Sequence, residues 1–276
     1  VMSATPIPRS LAMTLYSDLD ISIIKGMPSG RKPVKTAVRP QKKHDDIYDF
    51  VEKELQDGGQ AYIVYPLVEE SEKMDLKDAT AGFEKLKKRF SDFKVGLLHG
   101  RMDSEEKDAV MQQFINNEIQ VLVSTTVIEV GVDVPNASIM IVEHAERFGL
   151  SQLHQLRGRV GRGERQSYCI LIYGQKVSKE GQYRLRKMAE TNDGFAIAEA
   201  DLELRGPGDF LGTKQSGLPE FRVADIVEDQ WILEQAKAEA WKIINNDLDL
   251  EKPEHHELKK VFMPYYKEKS KLYSVG

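Results

Sequence analysis

The sequence predicts an open α/β fold with a parallel sheet, followed by a helical region. Six short apolar runs alternate with helix-like stretches between residues 34 and 173. The runs are unbroken, whereas a strand with one face in water alternates apolar and polar residues. Helices are therefore expected to cover both faces of the sheet. From Ser178 onward the pattern changes to helical stretches and a glycine-rich segment. The alternation of strands and helices indicates right-handed crossovers in an open layered structure.

The elements follow from the apolar runs and the turn residues between them. A helix at 10–17 and a short strand at 21–24 precede Gly26-Met-Pro-Ser-Gly-Arg-Lys-Pro33, whose glycines and prolines predict a linker. Helices are predicted at 45–56, 79–90 and 104–116, the last entered through Asp103-Ser-Glu-Glu106, which has capping-box spacing. Strands are predicted at 34–38, 60–65, 94–98, 119–124, 138–142 and 167–173.

The last hundred residues are predicted to be largely helical. Helices at 179–190 and 196–204 flank Thr191-Asn-Asp-Gly194 and suggest a helical hairpin. A glycine-punctuated loop is expected at 205–217, and then a long helix at 224–245 with one apolar face. The tail at 254–276 mixes Lys and Glu with aromatic residues. We expect it to pack on the domain as an irregular segment.

Composition and charge restrict the kind of function. With 276 residues and a net charge of −5, the chain can form one large domain or two small ones, but not a generally basic nucleic-acid-binding surface. Cys169 is the single cysteine, so no internal disulfide can form, which fits a reducing compartment such as the cytoplasm. No apolar run is long enough to span a membrane, and the histidines show no metal-ligand spacing. Because the net charge is negative, any nucleic-acid contact must come from a local basic patch, and one is expected at Arg147, Arg157, Arg159, Arg162 and Arg165.

Two stretches carry the strongest functional signal. Gln155-Leu-Arg-Gly-Arg-Val-Gly-Arg162 places three arginines and two glycines within eight residues, at the predicted start of a helix. An arginine fork can stabilise charge on a phosphoryl group, and glycine lets a phosphate approach closely. Taken alone, the stretch could equally be a solvated basic turn. Upstream lies Ser124-Thr-Thr-Val-Ile-Glu-Val-Gly-Val-Asp133, and the pair resembles motifs V and VI of superfamily 2 helicases.

Further stretches resemble the RecG helicases within that superfamily. Val1-Met-Ser-Ala-Thr-Pro-Ile-Pro-Arg9 resembles their motif III, and His99-Gly-Arg-Met102 resembles an element that faces DNA phosphates. Arg184 and the loop from Arg205 to Gly217 resemble the TRG motif, which RecG shares with the transcription-repair coupling factor. The continuation Leu218-Pro-Glu-Phe-Arg-Val-Ala-Asp225 fits RecG better. The resemblance covers nearly the whole chain.

The resemblance implies a RecA-like lobe that closes over ATP bound mainly by another lobe. Arg159 and Arg162 would stabilise the leaving γ-phosphate, with Arg162 as the arginine finger. Arg157 would be either a third functional arginine or a surface or interlobe salt bridge. Gly131, Asp133 and Gln155 would belong to the nucleotide site, with Asp133 accepting hydrogen bonds from the ribose. The residues expected to contact DNA or couple ATP to it are Thr5, Thr125, His99, Gly100, Arg184, Arg205 and Gln215.

The resemblance also implies a division of the chain and a set of partners. Residues 1–25 would be a remnant of the first RecA-like lobe, 26–33 a linker, 34–176 the second lobe, and 177–276 the TRG hairpin, coupling loop and C-terminal extension. The sequence contains no phosphate loop and no acid box. We therefore expect an excised piece that is inactive alone, whose parent uses ATP and Mg²⁺ from the first lobe. The expected partners are branched double-stranded DNA, that lobe and a wedge domain, with no membrane.

Two other identities stay open at this point. One is the same region of a transcription-repair coupling factor. The other is a non-catalytic DNA-binding or interaction module that keeps a RecA-like shape.

Overall fold

One parallel sheet organises the N-terminal part of the chain. The computed structural model describes residues 31–66, 72–125, 133–210 and 229–273. Within these ranges six strands pair in the order β1-β6-β5-β2-β4-β3, and all five pairings are parallel. This confirms the predicted fold class. The strands are β1 (Lys35–Pro40), β2 (Gln60–Val64), β3 (Val95–Leu98), β4 (Val121–Ser124), β5 (Ala137–Val142) and β6 (Tyr168–Tyr173).

Helices connect the strands and continue after the sheet ends. Helix α3 begins with the predicted capping box, in which the Asp103 side chain accepts from the Glu106 amide and Glu106 accepts from the Asp103 amide. The two helices predicted on either side of Thr191-Asn-Asp-Gly194 are confirmed as α5 and α6, while their arrangement as a hairpin stays a prediction. The helices are α1 (His44–Gln56), α2 (Glu72–Arg89), α3 (Ser104–Ile115), α4 (Leu150–Arg157), α5 (Lys179–Glu190), α6 (Gly194–Phe210), α7 (Gln230–Asn246) and α8 (His256–Tyr273).

The sheet is covered on both faces, as the fully buried central strands β2, β4 and β5 require. Alternate strand residues such as Ile63 and Ile141 pack in one cluster with Val51 of α1 and Leu86 of α2. Successive strand residues point to opposite faces, so Tyr62 lies on the other side. There its ring contacts Phe114 of α3, with 4.8 Å between centroids. Helices α1 and α2 therefore cover one face and α3 the other.

Three predicted elements are wrong in position or type. The arginine-rich stretch at 155–162 was expected to start a helix, but it holds the last turn of α4 and the turn that follows. The expected loop is helical up to Phe210, because extending a helix that is already nucleated costs far less than starting one, although Gly206, Pro207 and Gly208 are poor helix formers. The tail expected to be irregular forms α8, which contains Pro264.

The described chain forms two compact units. Among the described residues, the first unit ends at Asp201 and the second begins at Leu202, within α6. The predicted segment boundaries at 25, 33 and 176 stay predictions, and the predicted motif III segment and most of the predicted linker lie outside the described residues. No helix within the described ranges is long and apolar enough to cross a bilayer.

Candidate functional site

The carboxyl edge of the sheet holds three of the residues predicted to contact DNA, which are His99, Gly100 and Thr125. In an open α/β sheet, ligands bind outside the carboxyl ends of the strands, where neighbouring strands send their connections in opposite directions. Strands β2 and β5 are such neighbours, because β2 leads through α2 towards β3 and β5 leads through α4 to β6 on the other side. His99, Thr125 and Glu143 each directly follow a strand at this edge.

A tight turn after α4 presents Arg159 and Arg162. Gly161 has a φ of +79°, in the left-handed region that favours glycine, and a Cβ there would lie 2.9 Å from Val34 Cγ2. Gly163 passes so close to Pro135 that a Cβ would lie 2.4 Å from its carbonyl oxygen. The two glycines therefore allow the arginine-rich turn to pack against the segment that follows Asp133.

This packing brings the two predicted motifs together. Arg162 Nη1 lies 3.5 Å from Asp133 Oδ1, and Arg162 Nε donates to the Gly158 carbonyl at 3.2 Å. The Arg162 side chain is 22% exposed and that of Asp133 is 61% exposed. Both groups are thus accessible to a ligand, and such an exposed pair contributes at most about 1 kcal/mol.

Arg159 lies in the same electrostatic environment. Burial lowers the pKa of its guanidinium, and the neighbouring charge of Arg162 lowers it further. Burial raises the pKa of the Tyr62 phenol to about 12, although both arginines act in the opposite direction. The positive charges of Arg159 and Arg162 lie close to the carboxylate of Asp133. Such a site suits a ligand that has both an anionic group, for the arginines, and hydroxyl groups, for the carboxylate.

His99 and Thr125 lie side by side with unused hydrogen-bonding atoms. Strands β3 and β4 pair Leu98 with Ser124, and the Thr125 amide donates to the Leu98 carbonyl at 3.2 Å. The buried Nδ1 of His99 and Oγ1 of Thr125 have no hydrogen-bond partner among the described residues. Since buried polar atoms are usually satisfied, these two mark a place where a ligand could complete the bonding. Gly100, next to them, is exposed.

Arg157 is neither a ligand-binding arginine nor a salt bridge at the surface or between lobes, which were the two alternatives from the sequence. Its side chain is almost completely buried, and no carboxylate lies within ion-pair distance of it in the part of the chain that the structure describes. Nη1 donates to the carbonyls of Met188 (3.0 Å) and Thr191 (2.8 Å). Arg157 is therefore neither a surface salt bridge nor a group available to ligands, because the stretch ends a helix that packs against α5.

The remaining predicted residues are only partly described. Arg184 Nη2 donates to the Glu146 carbonyl at 2.8 Å, while its buried Nε has no partner among the described residues. Gln155 is exposed on the last turn of α4. Arg205 belongs to α6, although its side chain is not described. Thr5, Gly131 and Gln215 lie outside the described residues.

A buried polar cluster at the end of β5 was not predicted from the sequence. His44 Nε2 lies 3.0 Å from both carboxylate oxygens of Glu143, and the Tyr48 hydroxyl donates to Glu143 Oε1 at 3.0 Å. The Glu143 side chain is only 3% exposed. A carboxylate directly after an unbroken apolar strand could have indicated a buried polar cluster, since a buried charge needs partners. The cluster ties the start of α1 to the carboxyl edge.

This cluster predicts a pH-dependent contribution to stability. The hydrogen bond to Glu143 raises the pKa of His44 above 6.5, against the opposing effect of burial. A raised pKa contributes stability that is complete below the unfolded-state pKa and is lost as the pH rises through the folded-state pKa. We expect His44→Gln to lower the melting temperature of the chain most below pH 6.5, and progressively less above it.

Tyr48→Phe is the matched control for His44→Gln. It removes the other donor to Glu143, and burial raises the pKa of the Tyr48 phenol, so this group does not titrate in the same range. Its effect on the melting temperature should stay constant as the pH rises. An equal pH dependence in both variants would contradict the role given to His44.

Comparisons with known sequences cover both parts of the chain. The family described as "Helicase conserved C-terminal domain" matches residues 42–164, and "ATP-dependent DNA helicase RecG, domain 3, C-terminal" matches residues 191–271. The ATP-dependent DNA helicase RecG of Bacillus subtilis is 54% identical over 255 residues, which cover 92% of this chain and 37% of the relative. That of Thermotoga maritima is 52% identical over 251 residues, covering 91% and 32%. The chain thus spans about a third of the length of these relatives.

Solved structures agree with this likeness. A structure of RecG bound to a three-way DNA junction is 51% identical, with a TM-score of 0.67, and the match covers 85% of this chain and 30% of that one. The Mycobacterium smegmatis helicase Lhr, bound to single-stranded DNA and AMP-PNP, has a TM-score of 0.50 at 18% identity, covering 69% and 26%. The second likeness concerns the fold alone.

Proposed function

Because the chain belongs to the RecG family of ATP-dependent DNA helicases, whose C-terminal region it matches, we propose that it is the second motor lobe and coupling region of such a helicase. The complete protein would use ATP hydrolysis to move on double-stranded DNA and remodel branched DNA in the cytoplasm, at stalled forks and Holliday junctions, during repair and recombination. The observation that carries this proposal is the meeting of Arg159, Arg162 and Asp133 at one accessible turn, in a chain about half identical to RecG helicases.

The chemistry proposed for this turn is stabilisation of charge on ATP. Arg162 and Arg159 would donate to the γ-phosphate oxygens as the bond to the β-phosphate breaks, and Asp133 would accept from the ribose hydroxyls. Asp133 now lies beside Arg162, so nucleotide binding would exchange this contact for contacts with ATP. The first lobe would hold most of the nucleotide and the Mg²⁺, with Gly131 and Gln155 shaping the second half of the cleft.

We propose that DNA lies along the ends of β3 and β4. His99, Gly100 and Thr125 are neighbours there, and α3 begins four residues beyond Gly100 with its amides facing the same edge. A helix N-terminus favours anions. The unpartnered Nδ1 of His99 and Oγ1 of Thr125 supply polar atoms that a phosphodiester oxygen or a bridging water would satisfy. Thr5 would contact the same DNA from the first lobe.

Coupling between the two sites is proposed for the hairpin and the segment after it. Arg184, Arg205 and Gln215 would carry the closure of the lobes to the duplex. Arg184 supports this role because it bonds to the turn that leads into α4, and α4 in turn leads to the two arginines of the ATP site. The first lobe and a wedge domain of the same protein are the expected partners.

A substitution in the coupling segment tests this function. In the complete protein, Gln215→Ala should leave substantial DNA-stimulated ATP turnover but lower unwinding of a three-way junction by roughly 5- to 150-fold, the range of typical coupling free energies. ATP turnover and junction unwinding would be measured on the same preparation, with Lys214→Ala as the neighbouring control. Unwinding at the parental rate would show that residues 205–217 only connect helices, and a parental protein without ATP-driven unwinding would refute the proposed function itself.

A further inference from the structure

Two arginines join α4 to the helical hairpin from opposite ends. Arg157, on the last turn of α4, donates to the carbonyls of Met188 and Thr191, where α5 ends. Arg184, on α5, donates to the carbonyl of Glu146, which precedes α4. Each helix thus supplies a guanidinium to backbone carbonyls of the other segment. The contacts are 2.8 to 3.0 Å long.

The Arg157 contact closes the C-terminal end of α5. The last carbonyls of a helix have no partner within it, and an arginine can satisfy them while its charge complements the helix dipole. Nη1 also lies 3.4 Å from Thr36 Oγ1, on β1. Nη2 lies 3.1 Å from His154 Nδ1, and since a guanidinium can only donate, that nitrogen must be the unprotonated acceptor.

The carbonyl that accepts from Arg184 belongs to a turn that makes several other hydrogen bonds. The Glu146 carboxylate accepts from the Gly174 amide, with contacts of 3.3 and 3.4 Å, at the end of β6. Three residues earlier Glu143 is bound by His44 and Tyr48. The turn from Glu143 to Arg147 therefore connects α1, β6 and α5 directly before α4 begins.

Stability alone does not account for a buried guanidinium at position 157. Burial opposes its charge and lowers its pKa, and no carboxylate in the described ranges compensates it. A buried charge costs several kcal/mol, and a well-packed apolar residue of similar volume is often as stable or more so. What the arginine adds is a planar group that bonds to both segments at once: Nη1 holds the two carbonyls at the end of α5, while Nη2 is fixed on His154 of its own helix.

We propose that the hydrogen bonds of Arg157 and Arg184, which we call the two struts, make α4, the following arginine turn and the α5–α6 turn move as one body. The inference rests on the proposed function and names the residues that carry coupling in it. When ATP draws Arg159 and Arg162 towards the γ-phosphate, the struts carry that displacement into the hairpin and so towards the duplex. Arg157 is therefore a positioning residue, although it lies within the arginine-rich stretch that faces ATP.

The test uses the complete protein with Arg157→Lys, which keeps a positive charge but has one nitrogen only, and so cannot bond to His154 and to the two carbonyls in the same fixed geometry. Hydrogen–deuterium exchange would be followed with and without a non-hydrolysable ATP analogue. In the parental protein the analogue should change exchange both at residues 155–165 and at residues 179–193. In the variant the change should persist at 155–165 and be lost at 179–193. Junction unwinding per ATP hydrolysed should fall roughly 5- to 150-fold.

Arg186→Lys is the matched control, because this arginine lies on the same helix as Arg184 but is exposed and pairs with Glu190 on the surface. It should behave as the parental protein does. Should Arg157→Lys fail to fold, Arg184→Lys removes the opposite strut from a half-buried position and should give the same exchange pattern. The proposed role of the struts would be refuted if the variant kept the exchange change at residues 179–193. It would also be refuted if ATP turnover and unwinding fell equally, so that unwinding per ATP hydrolysed stayed the same. A parental protein without ATP-driven unwinding would instead refute the proposed function.

Discussion

Arg162→Ala should lower ATP turnover of the complete protein by about 10³- to 10⁵-fold, the contribution of an arginine finger to phosphoryl transfer. The reason is the loss of a guanidinium that stabilises charge as the γ-phosphate leaves. Junction unwinding should fall with it, because no hydrolysis remains to drive movement. Steady-state ATP turnover and unwinding on the same preparations would measure both losses.

The fold should tolerate this substitution. The Arg162–Asp133 contact is partly exposed at 3.5 Å, so its loss should cost at most about 1 kcal/mol of the free energy of unfolding. Arg165→Ala is the control, since Arg165 lies three residues further along and donates instead to the Asp57 carbonyl. Turnover within about tenfold of the parental value in Arg162→Ala would exclude Arg162 as the finger, because that corresponds to only about 1.4 kcal/mol of transition-state stabilisation.

Phe114→Ala should lower the free energy of unfolding of the chain by about 3–5 kcal/mol. Phe114 is completely buried at the end of α3, where its ring contacts Tyr62, and the shortened side chain would leave a cavity under the sheet. For a domain of this size the loss corresponds to a melting temperature roughly 6–20 °C lower. Thermal unfolding followed by circular dichroism would measure it.

Gln112→Ala provides the comparison on the same helix. Gln112 is exposed two residues before Phe114, and exposed substitutions usually change stability by less than about 0.5 kcal/mol. Equal melting temperatures for the two variants would contradict the placement of α3 on the sheet.

The sheet could be predicted because its central strands are apolar runs that can be recognised without knowledge of distant contacts. In the strand predicted at 138–142, the four residues after Ser138 are all apolar, so none of them can be placed towards water and both faces have to be buried. The α3 capping box is equally local, since Asp103 and Glu106 bond to each other's backbone. Positions of this kind depend on neighbours within a few residues.

The features that the sequence did not predict depend on contacts between residues far apart in the chain. Nothing local to Gln155–Arg162 indicates that Arg157 turns inward to carbonyls more than 30 residues away. The Glu143 cluster depends on His44, about a hundred residues earlier. In the same way, the pairing of Arg162 with Asp133 was not predicted, although both residues were assigned to the nucleotide site by resemblance.

The position of β1 has a consequence for the synthesis of the protein. Lys35 pairs with Tyr168, about 130 residues later, and among the described strands β1 pairs with β6 alone. At a synthesis rate of about 5–20 residues per second, the emerging β1 waits on the order of ten seconds for its partner. During that interval its open edge is exposed to neighbouring nascent chains, and Lys35, Arg39 and Pro40 are residue types that discourage such pairing. We therefore expect the ribosome-bound chain to become protease-resistant in one late step, only after β6 has left the exit tunnel.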